Sequence, residues 1–380
     1  MCLLEDLPTP CLLVDERRME ANLAKMSARI TTADLRPHTK THKSVALARR
    51  QLAHRASGIT VAKISEAEIF VQHGFDDVRI AYTLVGEKQL ERVIELSKKA
   101  RISFCIDTLE GAHRASRIFK KAGINVDVLL EIDTGHGRCG VPYDHENLVD
   151  IALNIQNLEG LHMCGILTHE GNAYAHHHLD RTEVMAQTRD RMLETAIRLK
   201  RAHCIDPATF EISLGSTPSI SVFENRNEDG IQITEVRPGN YIFNDLTQVA
   251  LGVSSLNDCA LTILSTVVSK QRTSRGTERF ILDAGRKIFS SDTIDGQPGY
   301  GCILYNPRVR SPHPHATING LSEEHGWGEV QGGSTLNIGD RVQIVPNHAC
   351  VAVNMMDQMF LVDEKSMCSR ITVDARGCVI

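Results

Sequence analysis

The 380-residue sequence predicts a (β/α)8 TIM-type barrel over residues 9–245, followed by a mostly β domain over 246–380 that residues 1–8 can join. Three observations carry this. Short apolar runs alternate with helical periodicity about eight times between Thr9 and Phe243, which means βα units around a parallel sheet. Helical periodicity fades after Asp245, and short alternating runs separated by turn residues replace it. Several of the early runs end in polar or glycine-rich stretches, where a barrel keeps its chemistry.

Taken in order, Thr9–Val14 is an apolar run punctuated by Pro8 and Pro10, and Asp15 caps a helix to Arg29 with Met19, Leu23 and Met26 at helical spacing. Strands follow at Leu35, Gly58–Ala62, Val78–Tyr82, Ile102–Ile106, Val126–Ile132, Leu161–Leu167, Thr209–Ser213 and Gln232–Val236, with helical segments between them. A doubly wound open sheet is the alternative, but no G-x-G-x-x-G follows the first strand. In the second part Leu261–Ser269, Arg279–Asp283, Gly326–Gln331, Arg341–Val345 and Met359–Val362 alternate as strands.

The bulk properties exclude some functions. Hydrophobic residues make up 42% and charged residues 23%, as in ordinary globular proteins. A net charge of -5 gives no electrostatic case for nucleic acid or anionic membrane. No apolar run reaches a membrane span, and the N-terminus lacks a signal-peptide pattern. Eleven cysteines without repeated spacing predict reduced thiols in a cytoplasmic protein.

The chemistry starts at Arg36-Pro37-His38-Thr39-Lys40-Thr41-His42-Lys43. Pro37 stops a helix from running through these cations, so the stretch reads as a strand ending in a basic loop. A solvated turn is the plain reading; Lys40 as an amine for Schiff-base chemistry is the sharper one. Gly215-Ser216-Thr217 offers N–H groups and hydroxyls that suit a phosphate, and Gly239-Asn240 adds donors. Arg138, among Gly135, Gly137 and Gly140, can meet a phenolate or carboxylate of a flat ligand, or pair with Glu131 or Asp133. His169 and Tyr174 can pack on a ring or simply line the barrel end. His348-Ala349-Cys350, if extended, points an imidazole and a thiolate the same way, making half a zinc site with open positions. His176-His177-His178 is a competing metal candidate that reads as a solvated loop, as do His313 and His315.

These motifs, with Glu323-Glu324-His325-Gly326 and Pro346-Asn347-His348-Ala349-Cys350, occur in an order that resembles the metal-activated D-serine dehydratase and D-threonine aldolase family. Its members have the alanine-racemase-like fold (fold type III) and use pyridoxal phosphate. The resemblance implies that Lys40 carries the cofactor's Schiff base and moves the Cα proton. It implies that Arg138 sits by the phenolic oxygen and that His169 and Tyr174 flank the ring. Gly215, Ser216, Thr217, Gly239 and Asn240 would hold the phosphate, and His348 and Cys350 the metal. A homodimer with sites at the interface is implied as well.

The aldolase branch resembles His-x-Asp with manganese or magnesium; the dehydratase branch resembles His-x-Cys with zinc. Cys350 favours zinc, since thiolate prefers it over hard cations; manganese, magnesium or cobalt are alternatives. The Gly135–Gly140 loop, Asn354 and Asp357 look aldolase-like. The expected reaction is loss of water from a β-hydroxy D-amino acid (D-serine, D-threonine or D-3-hydroxyaspartate), giving a 2-oxo acid and ammonia. A retro-aldol reaction giving glycine and an aldehyde is the alternative. A racemase or a non-enzymatic pyridoxal phosphate carrier is a weaker one.

Overall fold

Eight short parallel strands are hydrogen-bonded in the order Asp34–Leu35, Glu235–Val236, Glu211–Leu214, Leu161–Leu167, Val126–Asp133, Arg101–Ile106, Asp77–Thr83 and Ile59–Val61. Parallel bridges Leu35–Ala56 and His38–Thr60 join the last strand to the first, so the sheet closes. The Thr60 N–H donates to Pro37 O at 2.8 Å across this seam. The structure is a computed structural model, and it describes residues 2–174, 180–274, 276–330 and 336–380. Its contacts divide the chain into two units. One holds Ser27–Lys40, Ala48–Gly239 and Cys378–Ile380; the other holds Met1–Met26, Thr41–Leu47 and Asn240–Gly377.

The longer barrel strands are buried along most of their length because helices cover one face and the barrel interior lies on the other. Val128, Leu129, Leu130 and Ile132 are all buried. The covering helices follow local signals. Thr108 accepts from the Gly111 N–H to open Leu109–Ala122, Gly123 closes it at φ 70°, and Ala112, Ala115 and Phe119 form the buried stripe. Asp180 caps Arg181–Arg201 in the same way.

The barrel interior is polar at its centre. Arg79 is fully buried and meets the carboxylates of Glu235 and Glu211. Arg36 pairs with Glu235 at 2.5 Å and Asp77 at 2.8 Å. The Ser213 hydroxyl donates to Glu235 and accepts from Arg237.

The run over Thr9–Val14 is not a barrel strand, contrary to its position ahead of the alternating series. Cys11–Asp15 pairs antiparallel with Leu261–Arg272 and parallel with Gln358–Val362. A short apolar run carries no information about its partner, and here the partners lie some 250 and 350 residues away. The strand at Asp34–Leu35 opens the barrel instead, so the count of eight stands.

The second unit is built on an 11-stranded sheet. Its main path runs Cys2–Leu3, Met367–Thr372, Gln358–Val362, Cys11–Asp15, Leu261–Arg272, Glu278–Leu282, Gly326–Val330 and Ala316–Leu321. Arg341–Val345 pairs with Leu261–Arg272 and with Cys302–Asn306. Cys302–Asn306, Ala316–Leu321 and Met367–Thr372 lacked a strand signal in the sequence; Pro307, Pro312 and Pro314 interrupt the stretch between the first two. Leu7, Cys11, Leu13, Leu264, Phe360 and Cys368 pack one core cluster of this unit. No described helix is long and apolar enough to cross a membrane.

Candidate active site

In the barrel unit the basic stretch continues directly from the Asp34–Leu35 strand. His38 N–H donates to Pro238 O at 3.0 Å, and the Thr39 hydroxyl donates to Thr60 O at 3.1 Å, which ties the stretch to both neighbouring strands. Lys40 sits on the following 3-10 turn, Thr39–Thr41, and is exposed.

The loop carrying Arg138 is folded around Asp133. Its Oδ1 accepts from the N–H groups of Gly135 at 2.8 Å, His136 at 2.9 Å and Gly137 at 3.1 Å. Gly140 closes the loop at φ 104°, where a Cβ would lie 2.7 Å from Asp133 N, so only glycine fits. With Asp133 committed to the backbone, the half-exposed Arg138 guanidinium faces buried Glu131 at 3.7 Å. Glu131 also accepts from the Cys139 thiol at 3.0 Å.

His169 leads the loop after Leu161–Leu167, with its ring edge-on to His136 at 6.1 Å. Burial, together with the charges of Lys40, Arg138 and Arg237, holds its pKa well below the ordinary imidazole value, so the ring is neutral near pH 7. Lys40, Arg138 and His169 are thus brought together. Arg237, which the sequence reading passed over, completes this group. It is buried and donates to Thr168 O at 2.6 Å as well as to Ser213. Tyr174 ends the 3-10 turn Gly171–Tyr174 in the same loop.

The Gly215–Thr217 turn is held by two residues the sequence did not single out. Buried Glu170 accepts from Gly215 N–H at 3.2 Å and from the Ser219 hydroxyl. Ser219 Oγ in turn accepts from Ser216 N–H at 3.0 Å. Gly215 adopts φ 120°, and a Cβ there would lie 3.0 Å from Arg237 N. Thr217 begins the short helix Thr217–Ile220 and is buried, as is Gly239. The Glu170 link spans 45 residues, and a single glutamate in a polar loop does not disclose it.

The other unit holds the His-x-Cys motif. It is not extended: His348 precedes the helix Ala349–Asn354 and Cys350 is its second residue. The two side chains nevertheless lie close enough for each to shift the other's pKa. Fully buried Asp245 accepts from Ala349 N–H at 2.9 Å and Gln248 N–H at 3.1 Å, which turns the chain there in place of a strand continuation. His348 Nδ1 lies 2.9 Å from Asp292 Oδ2. Burial disfavours the imidazolium, but the Cys350 thiolate and Asp292 outweigh it and raise the His348 pKa to about 11. Burial likewise opposes the Cys350 thiolate, and His348 outweighs it to lower the thiol pKa.

Asn240 places its amide here, donating to Asp245 at 2.6 Å and facing Cys350 Sγ at 3.8 Å. Asn354 accepts from Lys43 Nζ at 2.8 Å, and Asp357 pairs with Arg376 at 3.1 Å. Among the described residues no three His, Cys, Asp or Glu side chains form a metal-ligand set. His313 packs edge-on to Tyr305 at 5.9 Å and His315 is exposed. His176, His177 and His178 lie outside the described residues.

The donor chemistry fits the two groups that the resemblance implies. Three cations around one neutral imidazole suit an anionic, flat ring such as pyridoxal phosphate. A thiolate beside an imidazole whose Nδ1 is held by a carboxylate leaves Sγ and Nε2 for a soft divalent ion.

Residues 14–246 match the alanine racemase N-terminal domain model, and residues 260–362 match the serine dehydratase domain model. The chain belongs to the alanine-racemase-like, fold type III family of pyridoxal phosphate enzymes. It is 32% identical to the D-threo-3-hydroxyaspartate dehydratase of Delftia sp., over 90% of this chain and 91% of that one. It is 31% identical to the D-threonine aldolase of Arthrobacter sp., over 97% of this chain and 93% of that one. The solved Delftia enzyme superposes with a TM-score of 0.88 at 29% identity, covering 98% of this chain and 99% of the other. A cysteine-to-alanine mutant of a D-threo-3-hydroxyaspartate dehydratase, solved in a metal-free form, superposes with the same TM-score of 0.88 at 29% identity.

Proposed function

We propose that this protein is a pyridoxal phosphate- and zinc-dependent lyase that removes water from a β-hydroxy D-amino acid, giving a 2-oxo acid and ammonia. The observation that carries this reading is the His348–Cys350 pair, with its depressed thiol and its carboxylate-held imidazole. Thiolate and imidazole select zinc over magnesium or manganese, and two protein ligands leave positions open for substrate. The names of the relatives support a D-amino acid with a β-hydroxyl as substrate, D-3-hydroxyaspartate, D-serine or D-threonine.

Lys40, Arg138, His169, Tyr174, Gly215, Ser216, Thr217, Gly239 and Asn240 are the residues proposed to hold pyridoxal phosphate, and His348 and Cys350 those proposed to hold zinc. When bound, the cofactor supplies an electron sink at Cα and the metal a Lewis acid for a hydroxyl leaving group. The Lys40 amine would hold the cofactor and, as a free amine, would take the Cα proton. His169 stays neutral beside it and so adds no competing positive charge. Asp292 fixes which nitrogen of His348 is presented. The same reading takes the enzyme as a cytoplasmic homodimer; eleven cysteines scattered without a repeated spacing support a reducing compartment.

The relatives named as aldolases keep a second reading in play, in which the same parts cleave Cα–Cβ. D-threonine decides between them. 2-Oxobutyrate and ammonia, lost on chelation and restored by zinc, are the expected products. Glycine and acetaldehyde would overturn the dehydratase reading, and no turnover of any β-hydroxy D-amino acid would overturn both.

A further inference from the structure

We infer that Thr41 is a positioning residue of the proposed metal pair: the Cys350 thiol donates to its hydroxyl here, and once a metal takes the place of the thiol proton the same hydroxyl turns to donate to the sulfur. Thr41 is fully buried, and its Oγ1 lies 3.3 Å from Cys350 Sγ. The Asn240 amide faces the same sulfur from 3.8 Å while also bonding to Asp245. Asp245 takes the N–H of Ala349, so the backbone that carries Cys350 and the Asn240 amide facing its sulfur are fixed by one carboxylate.

A partly buried thiolate is stabilised by the donors around it. Threonine suits this role because its branched Cβ restricts the rotamer and keeps the hydroxyl on the sulfur. A donor on a thiolate ligand also withdraws charge from the sulfur, so a bound divalent ion stays a stronger Lewis acid. In sequence Thr41 looks like a spacer between Lys40 and His42; its contact is with a residue 309 positions away.

The inference rests on the reading of His348 and Cys350 as metal ligands, and the experiment separates the two. Full-length protein stripped with a chelator is titrated with zinc against a chromophoric competitor, and with cobalt while the thiolate-to-cobalt charge-transfer band is recorded. Thr41→Val, which keeps shape and loses the donor, is expected to weaken zinc binding by about tenfold. Its cobalt band moves to longer wavelength, because the sulfur lone pair is no longer stabilised. Thr41→Ser is expected to match wild type in both. If Thr41→Val matches wild type in both, the inference fails. If Cys350→Ala keeps tight zinc binding and the cobalt band, the metal assignment itself fails. Should Thr41→Val not fold, as judged by melting of the metal-free protein, Thr41→Ala gives the same comparison.

Discussion

Glu235→Gln tests the buried charge network beneath the mouth of the barrel. Glu235 is 5% exposed and accepts from Arg36 at 2.5 Å, from fully buried Arg79 and from the Ser213 hydroxyl. Glutamine preserves the shape but removes the charge and turns one oxygen into a donor facing guanidinium groups. Breaking a buried pair by removing one partner costs about 3–5 kcal/mol. Arg36 and Arg79 keep Asp77 and Glu211, so the lower end applies. The carboxyl pKa agrees with this. Burial alone would raise it, yet Arg79 and Arg36 bring it down from 4.5 to about 2, which corresponds to roughly 3 kcal/mol. For a unit of this size the loss lowers Tm by about 6–12 °C. The assay is thermal melting by circular dichroism at pH 7, repeated down the acid range. A depressed carboxyl contributes in full above its unfolded pKa, near 4.5, and loses its contribution as pH falls toward about 2. The gap between wild type and variant therefore narrows below pH 4.5. A variant that melts within about 2 °C of wild type at pH 7, or a gap that widens in acid, refutes the network argument.

Two further predictions concern the site itself. Lys40→Ala abolishes the visible absorbance band of protein loaded with pyridoxal phosphate, while Lys43→Ala, whose amine bonds to Asn354, retains it; the opposite result means the wrong lysine has been assigned. Asp292→Ala weakens zinc binding by about 10–100-fold, and Asp292→Asn by less, because its amide oxygen still accepts from Nδ1–H; chelator competition measures both, and unchanged affinity in Asp292→Ala removes its orienting role.

Local patterning along the chain determined the fold class. Alternation of apolar runs with helical periodicity is a short-range property, and caps such as Asp15, which accepts from Arg18 N–H at 3.0 Å, act within one turn. It also determined which loops are polar, because those loops directly follow their strands. Partnership was decided by tertiary structure. Cys11–Asp15 has the same apolar texture as a barrel strand, and only its hydrogen bonds to Leu261–Arg272 and Gln358–Val362 place it elsewhere. Arg138 had two acidic neighbours to choose from, and the choice followed from Asp133 already serving three backbone N–H groups. Period-two reasoning about His348 and Cys350 assumed an extended chain. Asp245, a hundred residues earlier, accepts Ala349 N–H where a helix begins instead. Thr41, Glu170, Asp292 and Arg237 act through side chains whose partners are remote in sequence, and no spacing along the chain encodes a contact that the folded backbone alone creates.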